Sequence, residues 1–199
     1  KWVDYDAYRA EHTKNDLQKN LISAIRREVG VYDFVAKVTN PNTEWAVSQV
    51  TYHFKYNSGL TKTFTDFIMP GQTKYLFGFS QKISNDITDV KIIFDDINWY
   101  YVKNQDTTEI LSGLTIADKA FNRLDNTSYV TFSAINNTPF SFWSVGYQVV
   151  LFSSGQPIAA GYVTASSLKS LSTQQVQSTW FKSLPTPTTI DIISDINVL

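Results

Sequence analysis

From residue 31 onward the chain is written in short runs where apolar and polar residues alternate one by one, and the series of runs occurs twice. Tyr32, Phe34, Ala36 and Val38 interleave with Asp33, Val35, Lys37 and Thr39. A side-chain period of two belongs to a strand, because successive Cβ atoms point to opposite faces. Asn40-Pro41-Asn42 supplies turn chemistry. Val50, Tyr52, Phe54 and Tyr56 form the next alternating face, closed by Asn57-Ser58-Gly59. Runs at 61–69, 73–79 and 90–94 follow, with Pro70-Gly71 between the first two. Short strands separated by polar turns predict a sandwich or a barrel.

The second half repeats the pattern. The run 129–135 leads into Asn136-Asn137-Thr138-Pro139, and the run 145–152 leads into Ser153-Ser154-Gly155. Runs at 157–165, 174–180 and 189–193 complete it. Asn40 and Asn136 lie 96 residues apart, as do Gly59 and Gly155. Asp96-Ile97-Asn98 and Asp195-Ile196-Asn197 lie 99 apart. Matched turns in the same order predict a mainly β protein of two tandem Ig-like β-sandwiches, one over 31–103 and one over 113–199. Residues 104–112 are read as a linker. Lys103 to Thr108 is polar loop, and the lack of a Pro/Gly tract predicts limited freedom between the units. Leu114, Ile116 and the stretch 118–121 are expected to open the second unit.

Residues 1–30 read differently. No Gly or Pro occurs between Val3 and Val29, and Val3, Ala7, Ala10, Leu17, Leu21 and Ala24 recur at threes and fours. That spacing predicts an N-terminal α-helix, with Arg26 and Arg27 in its last turn and Gly30 as the stop. Packing on the first sandwich and extension as a stalk are both open to such a helix. Its charged face is mixed, which argues against a basic membrane-surface helix.

Composition excludes several chemistries. The chain has no Cys and two His, so thiolate chemistry is absent and histidine-based triads and zinc sites are disfavoured. The net charge of −1 gives no case for nucleic acid or for an anionic membrane surface. No Gly-rich phosphate loop and no Gly-x-Ser-x-Gly elbow occurs. No cofactor and no metal is expected, and the protein is read as non-enzymatic. No apolar run reaches the ~18 residues of a membrane span, and the chain starts at Lys1 inside apparent structure. A removed signal or an upstream membrane anchor is compatible with that start, and the residues themselves show neither.

Two residue classes are weighed as sites. Asp95 and Asp96, with Asp33, Asp86 and Asp89, form the densest acidic grouping. It lacks the Asp/Gly rhythm of a calcium loop, and adjacent strand residues face opposite ways, so strand-end solvation explains it. A glycoside hydrolase would need two carboxylates across a cleft, which makes that the remoter alternative. His12 and His53 lack ligand-spaced partners. The aromatics are numerous: 5 Trp, 11 Tyr and 13 Phe. Trp45, Phe140, Phe142 and Trp143 follow turns, and Trp99 and Tyr100 end a strand. Packing inside the sandwiches or at their joint accounts for such residues, and a protein-binding patch or a carbohydrate-stacking face are the functional alternatives.

Three stretches carry a family resemblance. They are Arg26-Arg27-Glu28-Val29-Gly30 continuing to Asn40-Pro41-Asn42; Met69-Pro70-Gly71-Gln72-Thr73-Lys74-Tyr75-Leu76; and Asn136-Asn137-Thr138-Pro139-Phe140-Ser141-Phe142-Trp143 with the later Trp180-Phe181-Lys182-Ser183-Leu184-Pro185. The chain resembles a group of exported, membrane-anchored proteins of Patescibacteria, the candidate-phyla bacteria. Its second unit also looks like the FxLYD-type β-sandwich through Val149-Val150-Leu151-Phe152-Ser153. At the matching place the first unit has His53-Phe54-Lys55-Tyr56-Asn57, a departure from that pattern. The resemblance implies an extracytoplasmic module at the cell envelope or surface, with no catalytic residues to carry over. The expected role is a structural or interaction module whose partner is another envelope or surface protein. A carbohydrate-binding module is the alternative.

Overall fold

Gly30, at φ +72°, turns the chain between two strands. The first, β1 (Gln18–Glu28), runs antiparallel to β2 (Val31–Thr39). This corrects the expected helix over 13–30, where residues 13–17 are irregular, 18–28 are strand and 29–30 are turn; residues 1–12 of that expectation lie outside the described residues. The structure of the protein, a computed structural model, describes residues 13–57, 59–102 and 106–199. Both faces of β1 are covered, which explains the misleading periodicity. Ile22 and Ala24 join the core of their own half, while Leu21 and Ile25 join a second cluster shared with the C-terminal half. A strand with apolar residues on both faces loses its period of two. The first β unit therefore begins before residue 31.

The chain continues as β3 (Trp45–Tyr56), β4 (Gly59–Leu60), β5 (Phe64–Ile68), β6 (Thr73–Lys82) and β7 (Val90–Tyr101). A single helix among the described residues, α1 (Asp106–Gly113), stands where a loop was expected. Then come β8 (Leu114–Leu124), β9 (Thr127–Asn136), β10 (Phe142–Ser153), β11 (Gln156–Leu168), β12 (Ser172–Trp180) and β13 (Thr189–Asp195). Among the described residues, no helix is long and apolar enough to cross a membrane.

The strands form several antiparallel sheets and no closed barrel. One sheet has the order β1-β2-β6, and its counterpart in the C-terminal half has the order β8-β9-β12. In the other sheet of each half the central strand, β3 or β10, lies between an earlier-paired partner and the last strand. β3 pairs with β4 and β5 and, on its other edge, with β7; β10 pairs with β11 and β13. The strand order is thus the same in both halves. Each half has its own sandwich-like core between its two sheets. Phe34, Val50, Phe54, Leu76 and Ile92 fill the first, and Phe132, Val145, Tyr147, Leu151 and Leu168 fill the second.

The repeat is closest at one turn. Asn40 is fully buried and its amide donates to the carbonyls of Trp45 and Met69, while its Oδ1 accepts from the Asn42 backbone and side chain. Asn136, also fully buried, donates to the carbonyls of Phe140 and Lys169 and accepts from the backbone and hydroxyl of Thr138. Each amide thereby pins the same three segments: a β2-type end, the following strand start and the far end of the next strand. The exposed edges match too. Lys19 Nζ reaches the Ile92 carbonyl on β7 and Lys119 Nζ reaches the Ile190 carbonyl on β13, each at 3.1 Å. Lysines across a free strand edge blunt its tendency to pair with another chain.

Candidate functional site

The two halves are stacked through sheet faces. The outer face of β1-β2-β6 meets the outer face of β11-β10-β13 through Ile25, Val35, Tyr75 and Phe77 on one side and Val150 and Ala160 on the other. Four β layers result, with the joint in the middle.

Polar groups lock the register of that joint. Gln148, 1% exposed, accepts from the Tyr75 backbone N–H at 2.7 Å and donates to its carbonyl at 2.6 Å. It substitutes for a missing neighbour strand. Asp191 accepts from Lys37 Nζ at 2.7 Å and from the Tyr75 hydroxyl at 2.6 Å. Burial is the largest single influence on the Asp191 carboxyl and pushes its pKa up, but the bonds from Lys37 and Tyr75, with the Lys37 and Lys119 charges, outweigh it and hold the pKa below the ordinary carboxylate value. Burial and the neighbouring Asp191 drive the Tyr75 phenol well above its usual range.

At one rim of the joint three charges converge. Lys74 is fully buried, and its Nζ lies 2.7 Å from Asp66 Oδ1 and 2.6 Å from Asp195 Oδ1. The Phe67 ring covers the ammonium at 3.9 Å. Lys74 and Asp66 come from β6 and β5 of the N-terminal half, and Asp195 ends β13 of the C-terminal half. Burial raises the Asp66 pKa, and the Lys74 charge and hydrogen bond oppose that rise. Burial and the nearby Asp195 raise the Tyr162 phenol pKa. Its hydroxyl sits over residue 146, where glycine makes room: a Cβ there would lie 1.9 Å from it. The two carboxylates, Asp66 and Asp195, border a cleft of about 420 Å³, which Tyr52, Lys62 and Thr63 also line. Here two carboxylates share a buried cation, so the arrangement differs from a pair of carboxylates facing a substrate across open space.

A second cleft, of about 390 Å³, opens between the halves beside Arg27, Asp33, Phe79, Gly161, Gln177 and Trp180. Asp33 is buried and accepts from the Ser80 backbone N–H; burial raises its pKa, and that bond with the Arg27 and Lys182 charges opposes the rise.

The residues singled out in the sequence divide. Trp143 is 91% exposed and Phe140 55%, with Leu171 and Tyr100 also exposed. Phe140 and Leu171 are held at one end of the C-terminal half, where Asn136 bonds the Phe140 carbonyl and the Leu171 N–H bonds the Thr138 carbonyl. Phe142 is half-buried against the second core. Trp99 packs on the first core, and Trp45 stands edge-on to Tyr101 at 5.2 Å, with the Lys14 ammonium over both Trp45 and Trp99. Those three are packing residues.

The acidic grouping is dispersed. Asp95 pairs with His53 at 2.9 Å, Asp89 with Lys91, and Asp86 with Arg26 and the Tyr32 hydroxyl. No cluster able to hold a metal occurs among the described residues. The charged group that does converge was missed. Its signal was present: Asp66 sits between Phe64 and Ile68, and Lys74 two before Leu76, so opposite charges occupy inward slots of consecutive strands.

No protein-family model matches the chain, and no curated protein is detectably similar to it.

Proposed function

We propose that the protein is a non-catalytic interaction module of the cell envelope or surface, built of two Ig-like, FxLYD-like sandwiches locked into one block. The block holds an aromatic end rigidly toward another envelope or surface protein, and an upstream membrane helix anchors it outside the cytoplasm. The observation that carries this reading is Trp143, exposed over nearly its whole surface at the start of β10 with Phe140 and Leu171 exposed nearby. A large apolar side chain in water contributes little to its own fold. Burying one against a partner is worth roughly 1.5–3 kcal/mol, and aromatic anchors dominate such interfaces.

The test is a comparison of wild type with a Phe140→Ser, Trp143→Ser double variant. Binding to detergent-solubilised envelope proteins is expected to fall at least tenfold, while the unfolding midpoint stays the same. Undiminished binding by the double variant contradicts the reading. Binding to a glycan array that disappears in the double variant transfers the role to the carbohydrate alternative.

A further inference from the structure

We propose that Lys74 and Asp195 condense into an isopeptide bond that ties the two halves covalently, with Asp66 carrying the proton between them. The inference stands apart from what the aromatic end binds.

The geometry meets what an amide-forming reaction requires. The amine and the carboxyl are in contact, with Lys74 Nζ 2.6 Å from Asp195 Oδ1. Both belong to β-strands fixed by sheet pairing, β6 to β2 and β13 to β10, so neither can drift away. Reactants held in this way behave as though present at an effective concentration on the order of 10⁵ M or more. Amide formation also needs bulk water kept out. Lys74 has no exposed surface, and the Phe67 ring closes over its nitrogen.

The proton inventory balances. An ammonium and a carboxylate contain between them the amide and one water. Asp66 Oδ1, 2.7 Å from the Lys74 nitrogen, takes one ammonium proton and delivers it to the Asp195 carboxyl. The freed amine lone pair attacks the Asp195 carbonyl carbon and the C–N bond forms. A second nitrogen proton follows through Asp66, the C–O bond breaks, and the oxygen leaves as water. Asp66 ends as it began, and nothing is oxidised or reduced. Burial, which raises the Asp66 pKa, suits it to hold a proton in passing. The released water has an exit, since Asp66 and Asp195 line the 420 Å³ cleft.

An ordinary buried ion triad is the competing description, and mass distinguishes the two. The purified, folded full chain is expected to weigh one water less than its sequence. Proteolysis is expected to give a branched peptide joining the segments around Lys74 and Asp195. Lys74→Arg and Asp195→Ala should return the full sequence mass. Asp66→Asn, which keeps a hydrogen-bonding side chain in place, should do the same while near-ultraviolet circular dichroism reports a folded chain. A folded wild-type protein of full sequence mass overturns the proposal. So does a branch that joins Lys74 to Asp66, or complete cross-linking in Asp66→Asn.

Discussion

The ammonium of Lys74 in the N-terminal half lies 2.6 Å from a carboxylate oxygen of Asp195, 121 residues further along the chain. With Asp66 on the other side, the Lys74 nitrogen holds one carboxyl group from each half, and replacing Lys74 removes both the cation of an ion triad and the amine of the proposed amide. Removing the cation leaves two carboxylates in a poorly hydrated place. Breaking a buried pair in this way costs about 3–5 kcal/mol, whereas replacing the whole group with apolar residues costs far less. Lys74→Met should therefore be strongly destabilised in urea. The triple variant Lys74→Met, Asp66→Leu, Asp195→Leu should be more stable than Lys74→Met alone. A triple variant no better than the single one contradicts the assignment.

Asn40 and Asn136 should respond alike. Each is fully buried, donates to two carbonyls and accepts two bonds at its amide oxygen. Substitution by Ala strands the donors that pointed at the amide oxygen, while Met69, Phe140 and Lys169 each keep a second donor on their carbonyls. Unpaired buried groups cost about 1–3 kcal/mol each, with partial relief from relaxation. Asn40→Ala and Asn136→Ala are each expected to lose about 2–4 kcal/mol by denaturant unfolding. A large loss at one site beside a negligible loss at the other would show that the turns are not equivalent.

How much of this was legible in the sequence depends on what covered each strand. β2, β3, β9 and β10 were readable because turn residues bracket them. Asn40 and Asn136 announced the repeat because a short amide is a common way to tie a turn together. β1 was read as helix because its outer face carries Leu21 and Ile25 for the joint as well as Ile22 and Ala24 for the core. The stacking of the halves could not be read from alternation at all. Tyr75 and Phe77 occupy outward slots, and only the arrival of Val150 and Ala160 from a distant part of the chain buries them. Among the aromatics, exposure was set by partners remote in sequence. Trp45 found Tyr101 and Lys14, while Trp143 found no covering segment among the described residues.

The two joint aspartates should show opposite pH behaviour. Asp191 has a folded pKa below its ordinary 3.8. It adds stability that is complete above the unfolded value and is lost as pH falls through the lower folded value. Asp33 has a folded pKa above 3.8. It costs stability above that raised value, and the cost vanishes as pH drops below the unfolded one. Asp191→Asn should be less stable than wild type at pH 7, and Asp33→Asn more stable. Both differences should shrink toward pH 2 in urea midpoints measured across the range. A destabilised Asp33→Asn at neutral pH contradicts the balance in which burial outweighs Arg27 and Lys182.

Tyr147 offers a stabilising substitution. Its ring packs edge-on against Phe132 at 5.1 Å, but its buried hydroxyl has no hydrogen-bond partner among the described residues. Burial pushes its pKa up to about 12. Tyr147→Phe keeps the packing and removes an unpaired polar group, whose desolvation costs about 1–3 kcal/mol. Thermal unfolding of Tyr147→Phe should occur at a higher temperature than wild type. A lower midpoint would reveal a bond that the hydroxyl makes.

The account rests on the halves behaving as one cooperative block through their stacked sheets. Peptide-resolved hydrogen exchange on Asn40→Ala tests this most directly, because the substitution touches only the N-terminal half. Protection is expected to fall in β10 and β13 together with β2, since the joint transmits the loss. Unchanged protection in β10 and β13, beside a loss confined to β2 and its neighbours, would show two independent units.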